Sequence, residues 1–439
     1  MSWKLASLGR LSRPQYSFLL LTALSFTVYV GVSLVRNRGS TPSLLDADEQ
    51  DYYELAGELI HGDYAFNLRR PPIHNLVLAC LRLLTFDNLP AIHVGVSLIF
   101  SLTGPLMYLL VRRMTGQNSL AMMIGVLTIF WPPFLYYGST LYSETTVLPL
   151  FIVLLILLPR GSVFTVEPPS GLPKFFVTGV VLGLCILVRP MYLLFSPLAV
   201  AILFLEERNW AVAVRRSVIL AAGCLLIVLP WSTYISLKEG SPILVSANGG
   251  ETLGGGLNPA LMEQGYKTFT AANGRQYWVG PGKWLPEYLT GYLSEDEFNL
   301  PYLKLDAVMR QRTMAWVLKN PGSALYLQRA KLLYMWGFYP FWNGAVQTIF
   351  GNIPTIALII LSIFSLVRFR SYFRYLSRFW ILPLFVSFVA LISWGSWRFR
   401  QPGDLGLIML AGLYLWSIFE DTKTLIGSNF PITPNMREP

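Results

Sequence analysis

Residues 17 to 35 read SFLLLTALSFTVYVGVSLV, and three basic residues, Lys4, Arg10 and Arg13, precede them. The run is long enough to cross a hydrocarbon core and ends without an A-x-A-like cleavage site. It reads as a retained transmembrane helix with its basic flank in the cytoplasm. Working outward, further apolar runs follow near residues 90–111, 119–137, 142–158, 174–188, 190–205, 217–235, 352–367, 380–396 and 404–419, which makes ten expected spans. Composition agrees: 54% of the 439 residues are hydrophobic and 13% are charged, about half of the roughly 25% charged share of soluble domains. The expected class is an all-α polytopic membrane protein. The net charge of +10 is then a topology signal, since Arg112, Arg113, Arg160, Lys174, Arg208, Arg215, Arg216, Arg368, Arg370, Arg374 and Arg378 all fall in short loops on the basic side of the first span. No nucleic-acid partner is implied.

This sidedness puts two long loops outside. The expected organisation is a transmembrane module over 1–236 with an outer loop at 36–89, a large extracytoplasmic region over 237–351, C-terminal spans over 352–420 and a cytoplasmic tail at 421–439. In the first loop Tyr52, Leu55, Ala56 and Leu59 recur at i, i+3, i+4 and i+7, predicting an amphipathic helix over Glu49 to Ile60 suited to the membrane surface. A second surface helix is predicted after Pro71-Pro72, through IHNLVLACLRLLTF. Cys80, Cys185 and Cys224 each lie in an apolar stretch and read as packed thiols. His61, His74 and His93 have no zinc-ligand spacing, and neither a Walker A sequence nor a G-x-G-x-x-G fingerprint occurs.

The chemistry-bearing candidates are the charges at the outer rim. Asp48 stands at the front of the first surface helix, either as its N-cap, with Asp51 three places on, or as a catalytic carboxylate; Glu49 beside it is a second candidate. Glu144, in YGSTLYSETTVLPLF, opens an otherwise uncharged span, and an ionisable residue there faces a cavity or a partner more often than lipid. Arg189, in GLCILVRPMYLLF, and Arg398 and Arg400, in SWGSWRFRQPGD, are basic residues retained on the side that disfavours them, which points to an anionic partner such as a phosphate. The large loop opens with SPILVSANGGETLGGGLNP, whose five glycines between 249 and 256 predict tight turns with backbone N–H groups free for a ligand rather than helix. Tyr266, Tyr277, Trp278, Trp284 and Tyr288 offer flat faces for a sugar or a lipid.

Taken in order, DEQDYYELAGELIHGDY from Asp48, RRPPIHNL from Arg69, STLYSET around Glu144, GVVLGLCILVRP ending at Pro190, the 229–259 segment and RFRQP from Arg398 resemble the GT-C family of polytopic glycosyltransferases that use polyprenyl-phosphate sugars. This family includes the protein O-mannosyltransferases and the bacterial enzymes that modify lipid A. The resemblance implies Asp48 at the family's catalytic acidic position, as the proton acceptor, with Tyr52 and Ala56 behind it, and Arg189, Arg398 and Arg400 near the carrier phosphate. It further implies Tyr52, His74, Asn248, Glu251 and Asn258 as substrate contacts. His74 departs from the aromatic that relatives often carry after Pro-Pro, and Asp46 and Asp51 crowd Asp48. The implied activity is inverting transfer of a sugar to a hydroxyl on an envelope lipid, glycan or protein, at the extracytoplasmic face of the inner (plasma) membrane. No cofactor is obligatory, and a divalent metal is an option on which relatives differ. The competing reading, a transporter or flippase of lipid-linked saccharides, requires an internal repeat and polar residues spread through several spans, neither of which is evident.

Overall fold

A computed structural model of the chain describes residues 12–62, 68–158, 171–207, 209–262, 267–270, 276–279, 293–338, 348–393 and 395–426. Helix α1 is Arg13–Arg36, with Pro14 in the first turn, where its missing N–H costs nothing. Then come α2 (Ala47–His61), α3 (Pro72–Leu84), α4 (Leu89–Phe100), α5 (Thr103–Thr115), α6 (Asn118–Ile129), α7 (Pro132–Tyr137), α8 (Glu144–Leu157), α9 (Leu172–Val188), α10 (Ser196–Glu206), α11 (Trp210–Glu239) and α12 (Gly249–Gly256). The helices Tyr302–Lys319, Pro321–Met335, Ile353–Arg368, Ser377–Ile392 and Gln401–Ile426 complete the main course of the chain. It is a multi-pass membrane protein. Among the described residues, five helices are long and apolar enough to cross a membrane by length and composition: Arg13–Arg36, Leu89–Thr115, Trp210–Glu239, Thr348–Arg368 and Gln401–Asp421. The other apolar runs form shorter helices, because prolines divide them: Pro132 splits the run expected over 119–137 into α6 and α7, and Pro190 ends α9.

Packing follows close backbone approach. Helices α9 and α11 make the most extensive helix pair. A Cβ at Gly179 would strike the Leu220 carbonyl, and one at Gly223 the Phe176 carbonyl, so small residues let these two backbones touch. Arg378 donates to both Glu206 carboxylate oxygens at 2.7 Å, locking the end of α10 to the start of Ser377–Ile392. Both predicted surface helices form, but the stripe on α2 faces protein rather than lipid: Tyr52, Leu55 and Ala56 are buried, and Tyr52 and Ala56 join Leu78, Ile92, Val96 and Leu141 in one cluster. Arg82 binds Asp87 at 2.6 and 2.7 Å and the Tyr53 carbonyl at 2.6 Å, holding Phe86 and Asp87 in left-handed conformations (φ 51 and 59) that turn the chain from α3 into α4.

The large loop adds one feature and corrects one expectation. A short antiparallel ribbon, β1 (Lys267–Thr270) with β2 (Gln276–Val279), is added to an architecture that is otherwise all-α among the described residues. The Gly-rich segment is helix α12, not open turns. Its first N–H groups, of Gly250 and Glu251, donate to Asp306 Oδ1 at 2.7 and 2.9 Å, and a Cβ at Gly250 would collide with the Asp306 backbone. Glycine there serves contact with the Tyr302–Lys319 helix, and the capping carboxylate offsets the poor helix propensity.

Lys331, on Pro321–Met335, is fully buried and donates to the Ser393 carbonyl at 2.7 Å. Burial lowers its ammonium to about 7. Because this folded value lies below the unfolded one near 10.4, the unfolded chain binds more protons between them, and stability rises as pH climbs through that window. Lys331→Met should therefore raise the melting temperature most below pH 7 and progressively less toward pH 10. A constant difference across that range would refute the assignment.

Candidate active site

Three backbone features gather the charges at one place. Helix α2 starts at Asp46, whose side chain accepts the Glu49 N–H at 2.9 Å, so Asp46 and not Asp48 is the N-cap. That leaves the Asp48 carboxylate free for another partner. The turn ahead of α8 is stitched to the same helix start, by the Leu141 N–H donating to Glu49 Oε1 at 2.9 Å and by the Tyr142 hydroxyl donating to Asp46. Glu144 thus enters α8 beside α2, in a first turn that favours its negative charge. On the far side Pro190 forces Arg189 out of helix α9 into extended backbone (φ −151, ψ 118).

The result is an alternating chain of charges. Arg70 binds Asp51 through Nε at 2.7 Å and Asp48 through Nη2 at 2.5 Å. Arg398 pairs with the other Asp48 oxygen through Nη1 and with Glu144 through Nε at 2.5 Å. Arg189 closes the series on Glu144. Aromatic faces support the cations: Tyr52 lies 4.4 Å from Arg70, Tyr142 3.8 Å from Arg398 and Phe399 4.3 Å from Arg189. Partial burial by itself would raise the Asp48 carboxyl, but the guanidinium groups of Arg398 and Arg70 outweigh it and hold the carboxyl well below the usual carboxylate range. Glu49 shows the opposite balance, since burial raises it above its ordinary value against the Leu141 N–H.

Of the expected site residues, Asp48, Arg398, Glu144 and Arg189 are linked in one series of ion pairs, and Tyr52 stands next to them, its hydroxyl 3.2 Å from Arg70 Nη1. Others lie elsewhere. Arg400 is fully buried among Asp404, the Met335 carbonyl (2.8 Å) and Thr355 (2.7 Å), a structural ion pair away from the acidic pair. His74 is buried with both ring nitrogens engaged, by Thr146 at 2.9 Å and the Leu141 carbonyl at 2.8 Å, and its ring meets Tyr52 edge-on, so it braces the site rather than contacting substrate. Glu49 likewise holds backbone. Asn258 is buried and donates to the Gly254 carbonyl at 3.0 Å, closing α12, while Asn248 precedes that helix and accepts from Ser246 at 3.2 Å. Glu251 reaches the rim through Arg69 at 3.2 Å and Tyr302 at 2.8 Å. Tyr266, Trp284 and Tyr288 lie outside the described residues, and Tyr277 and Trp278 are on strand β2.

Sequence reading missed Arg70 and Tyr142 as parts of this cluster and placed Asp51 only as a neighbour crowding Asp48. The signal for Arg70 was its place before Pro71-Pro72, which fixes the backbone at the foot of α3. A divalent ion does not fit the residues as arranged: Arg398 stands between the two carboxylates, and among the described residues no three His, Cys, Asp or Glu side chains converge.

No protein-family model matches the sequence, and no curated protein matches it. The structure of the oligosaccharyltransferase AglB from Archaeoglobus fulgidus, in complex with an inhibitory peptide and a dolichol-phosphate, superimposes with TM-score 0.55 at 13% identity, over 94% of this chain and 51% of that one. The apo form of the same enzyme gives 0.51 at 14% identity, over 94% and 52%. The chain has the GT-C fold. It spans about half the length of AglB. ArnT from Cupriavidus metallidurans in the apo state aligns more loosely, with TM-score 0.43 at 15% identity, over 92% of this chain and 76% of that one. In this GT-C chain the charge cluster is built from the first turns of α2 and α8 and from the segments that carry Arg70, Arg189 and Arg398.

Proposed function

We propose that this protein is an inverting glycosyltransferase that moves one hexosyl or pentosyl unit from a polyprenyl-phosphate carrier to an acceptor hydroxyl on an envelope lipid, glycan or protein. The observation that carries the reading is the contact of Arg398 with both Asp48 and Glu144, with Arg189 on the far side of Glu144. It sets a carboxylate beside paired guanidinium groups, the pairing that proton removal and phosphate departure each require. Asp48 accepts the acceptor's hydroxyl proton as that oxygen attacks the anomeric carbon. The bond from that carbon to the phosphate oxygen breaks on the opposite side, its electron pair leaving with the carrier phosphate, whose charge grows from one to two. Arg398 and Arg189 hold that charge, and no metal step is needed. AglB supports the carrier class, having been captured with a dolichol-phosphate.

The test is transfer by the purified protein from a polyprenyl-phosphate sugar, paired with mass analysis of envelope lipids and glycans from cells with and without the gene. A defined sugar mass increment that disappears with the gene is expected; identical spectra and no transfer would reject the reading. The proposed location is the plasma (inner) membrane with the cluster on the extracytoplasmic face. A cysteine at Ser294 should then be labelled from outside and one at Ser371 protected, and the reverse pattern would invert the topology.

A further inference from the structure

In the arrangement observed, both Asp48 oxygens are occupied, one by Arg70 and one by Arg398. A carboxylate so held is a weak proton acceptor, because the same guanidinium groups that lower its proton affinity also cover its lone pairs. Arg398 has an alternative to Asp48. It borders a small cleft, about the size of one water molecule while Arg398 holds Asp48, so that a larger anion fits only once the Arg398 fork swings away; Glu144, Arg189, Tyr192, Phe399 and Gln401 also line it. Gln401 is fully buried, and its side-chain oxygen and nitrogen both lack a hydrogen-bond partner. An orphaned buried amide is costly unless a ligand or water completes it. Two guanidinium groups and an amide donor along one cleft match the oxygens of a phosphate.

Building on the glycosyl-transfer reading, we propose that the carrier phosphate enters the cleft between Arg189, Arg398 and Gln401 and takes the Arg398 fork away from Asp48, so that donor binding itself releases Asp48 to act as base. Arg398 stays anchored through Nε on Glu144 while its Nη1 end changes partner. Arg70 stays on Asp51 and keeps Asp48 in place as a positioning residue. The exchange suits the charge balance of the reaction: proton transfer neutralises Asp48 as the phosphate gains one negative charge, and the cation moves with it. It also imposes an order, donor before acceptor.

The experiment measures the affinity of the full chain in nanodiscs for undecaprenyl phosphate. Breaking the Asp48 contact is a toll on binding that divides the intrinsic affinity by the fraction of molecules with Arg398 free. Asp48→Asn should remove that toll and tighten Kd by about ten-fold, although it lowers activity. Asp51→Asn makes the same change in net charge without touching Arg398 and should leave Kd within about two-fold. Gln401→Met should weaken Kd several-fold while leaving the melting temperature equal or higher, since it deletes an unsatisfied buried polar group. Equal or weaker binding by Asp48→Asn, equal tightening by Asp51→Asn, or an unchanged Kd in Gln401→Met would each overturn the proposal. If Asp48→Asn does not fold, a structure of the wild type with undecaprenyl phosphate decides: Arg398 still on Asp48 overturns it, and Arg398 on phosphate supports it. No binding of undecaprenyl phosphate by the wild type would instead reject the carrier reading itself, and the exchange with it.

Discussion

Asp48→Asn should insert and fold yet transfer sugar slower by roughly 10²-fold or more, the usual worth of a positioned proton acceptor. Folding survives because Asp46 caps helix α2, and because each cation that loses Asp48 keeps another carboxylate, Asp51 for Arg70 and Glu144 for Arg398. Glu49→Gln and Glu144→Gln are the companions, one beside the base on α2 and the other across Arg398. Near-wild-type turnover in purified Asp48→Asn would sink the base assignment, and collapse in Glu144→Gln alone would move the role there. The pH dependence has a definite sign. Arg398 and Arg70 hold the Asp48 carboxyl below its ordinary value, so the charged form persists as pH falls through about 3.9, where a free Asp is half protonated. The stability contributed by these pairs is therefore complete above that pH and lost only as pH falls through the lower folded value. Likewise the acid limb of kcat/KM, which reports the free enzyme, should lie below the ordinary carboxylate range.

Arg398→Met should be the most damaging single change. The side chain is 10% exposed, against 4% for Glu144 and 37% for Asp48, so removing it leaves two close carboxylates with one fewer neutralising cation. Breaking a buried pair from one side costs roughly 3–5 kcal/mol; retention of Arg189 on Glu144 should keep the loss toward the lower end. Turnover should fall by about 10³-fold, as for loss of a principal donor to a developing anion. Arg398→Lys keeps the charge but not the fork that serves Asp48 and Glu144 at once. It should recover much of the melting temperature and little of the turnover. Recovery of both would show that charge alone suffices, contrary to the geometry.

The first long helix and the two helices before and after Pro71-Pro72 were legible because hydrophobic period and proline position act locally. Asp48, Glu144, Arg189 and Arg398 were legible because a charge at a span end needs a partner wherever it lies. The pairing itself was not, since Asp48 and Arg398 meet across 350 positions. Arg400 was misread because position at the rim does not reveal direction: it turns inward to Asp404, Thr355 and the Met335 carbonyl. The glycines of 249–256 were misread for a related reason. Their helix depends on Asp306, which caps it from 56 positions away, and no local propensity contains that contact.

The charge cluster also has a chronology. Arg189 follows Glu144 by 45 positions, so that carboxylate meets its first cation early in synthesis. Arg398 emerges 350 positions after Asp48, an interval of about 20 to 70 s at ordinary ribosomal speed. For most of it, the nascent protein holds Asp48 with Arg70 alone. The last partner arrives just ahead of the final helix, so the charge cluster is completed only when nearly the whole polypeptide has been made, and prematurely terminated chains that stop before this point leave Asp48 without Arg398.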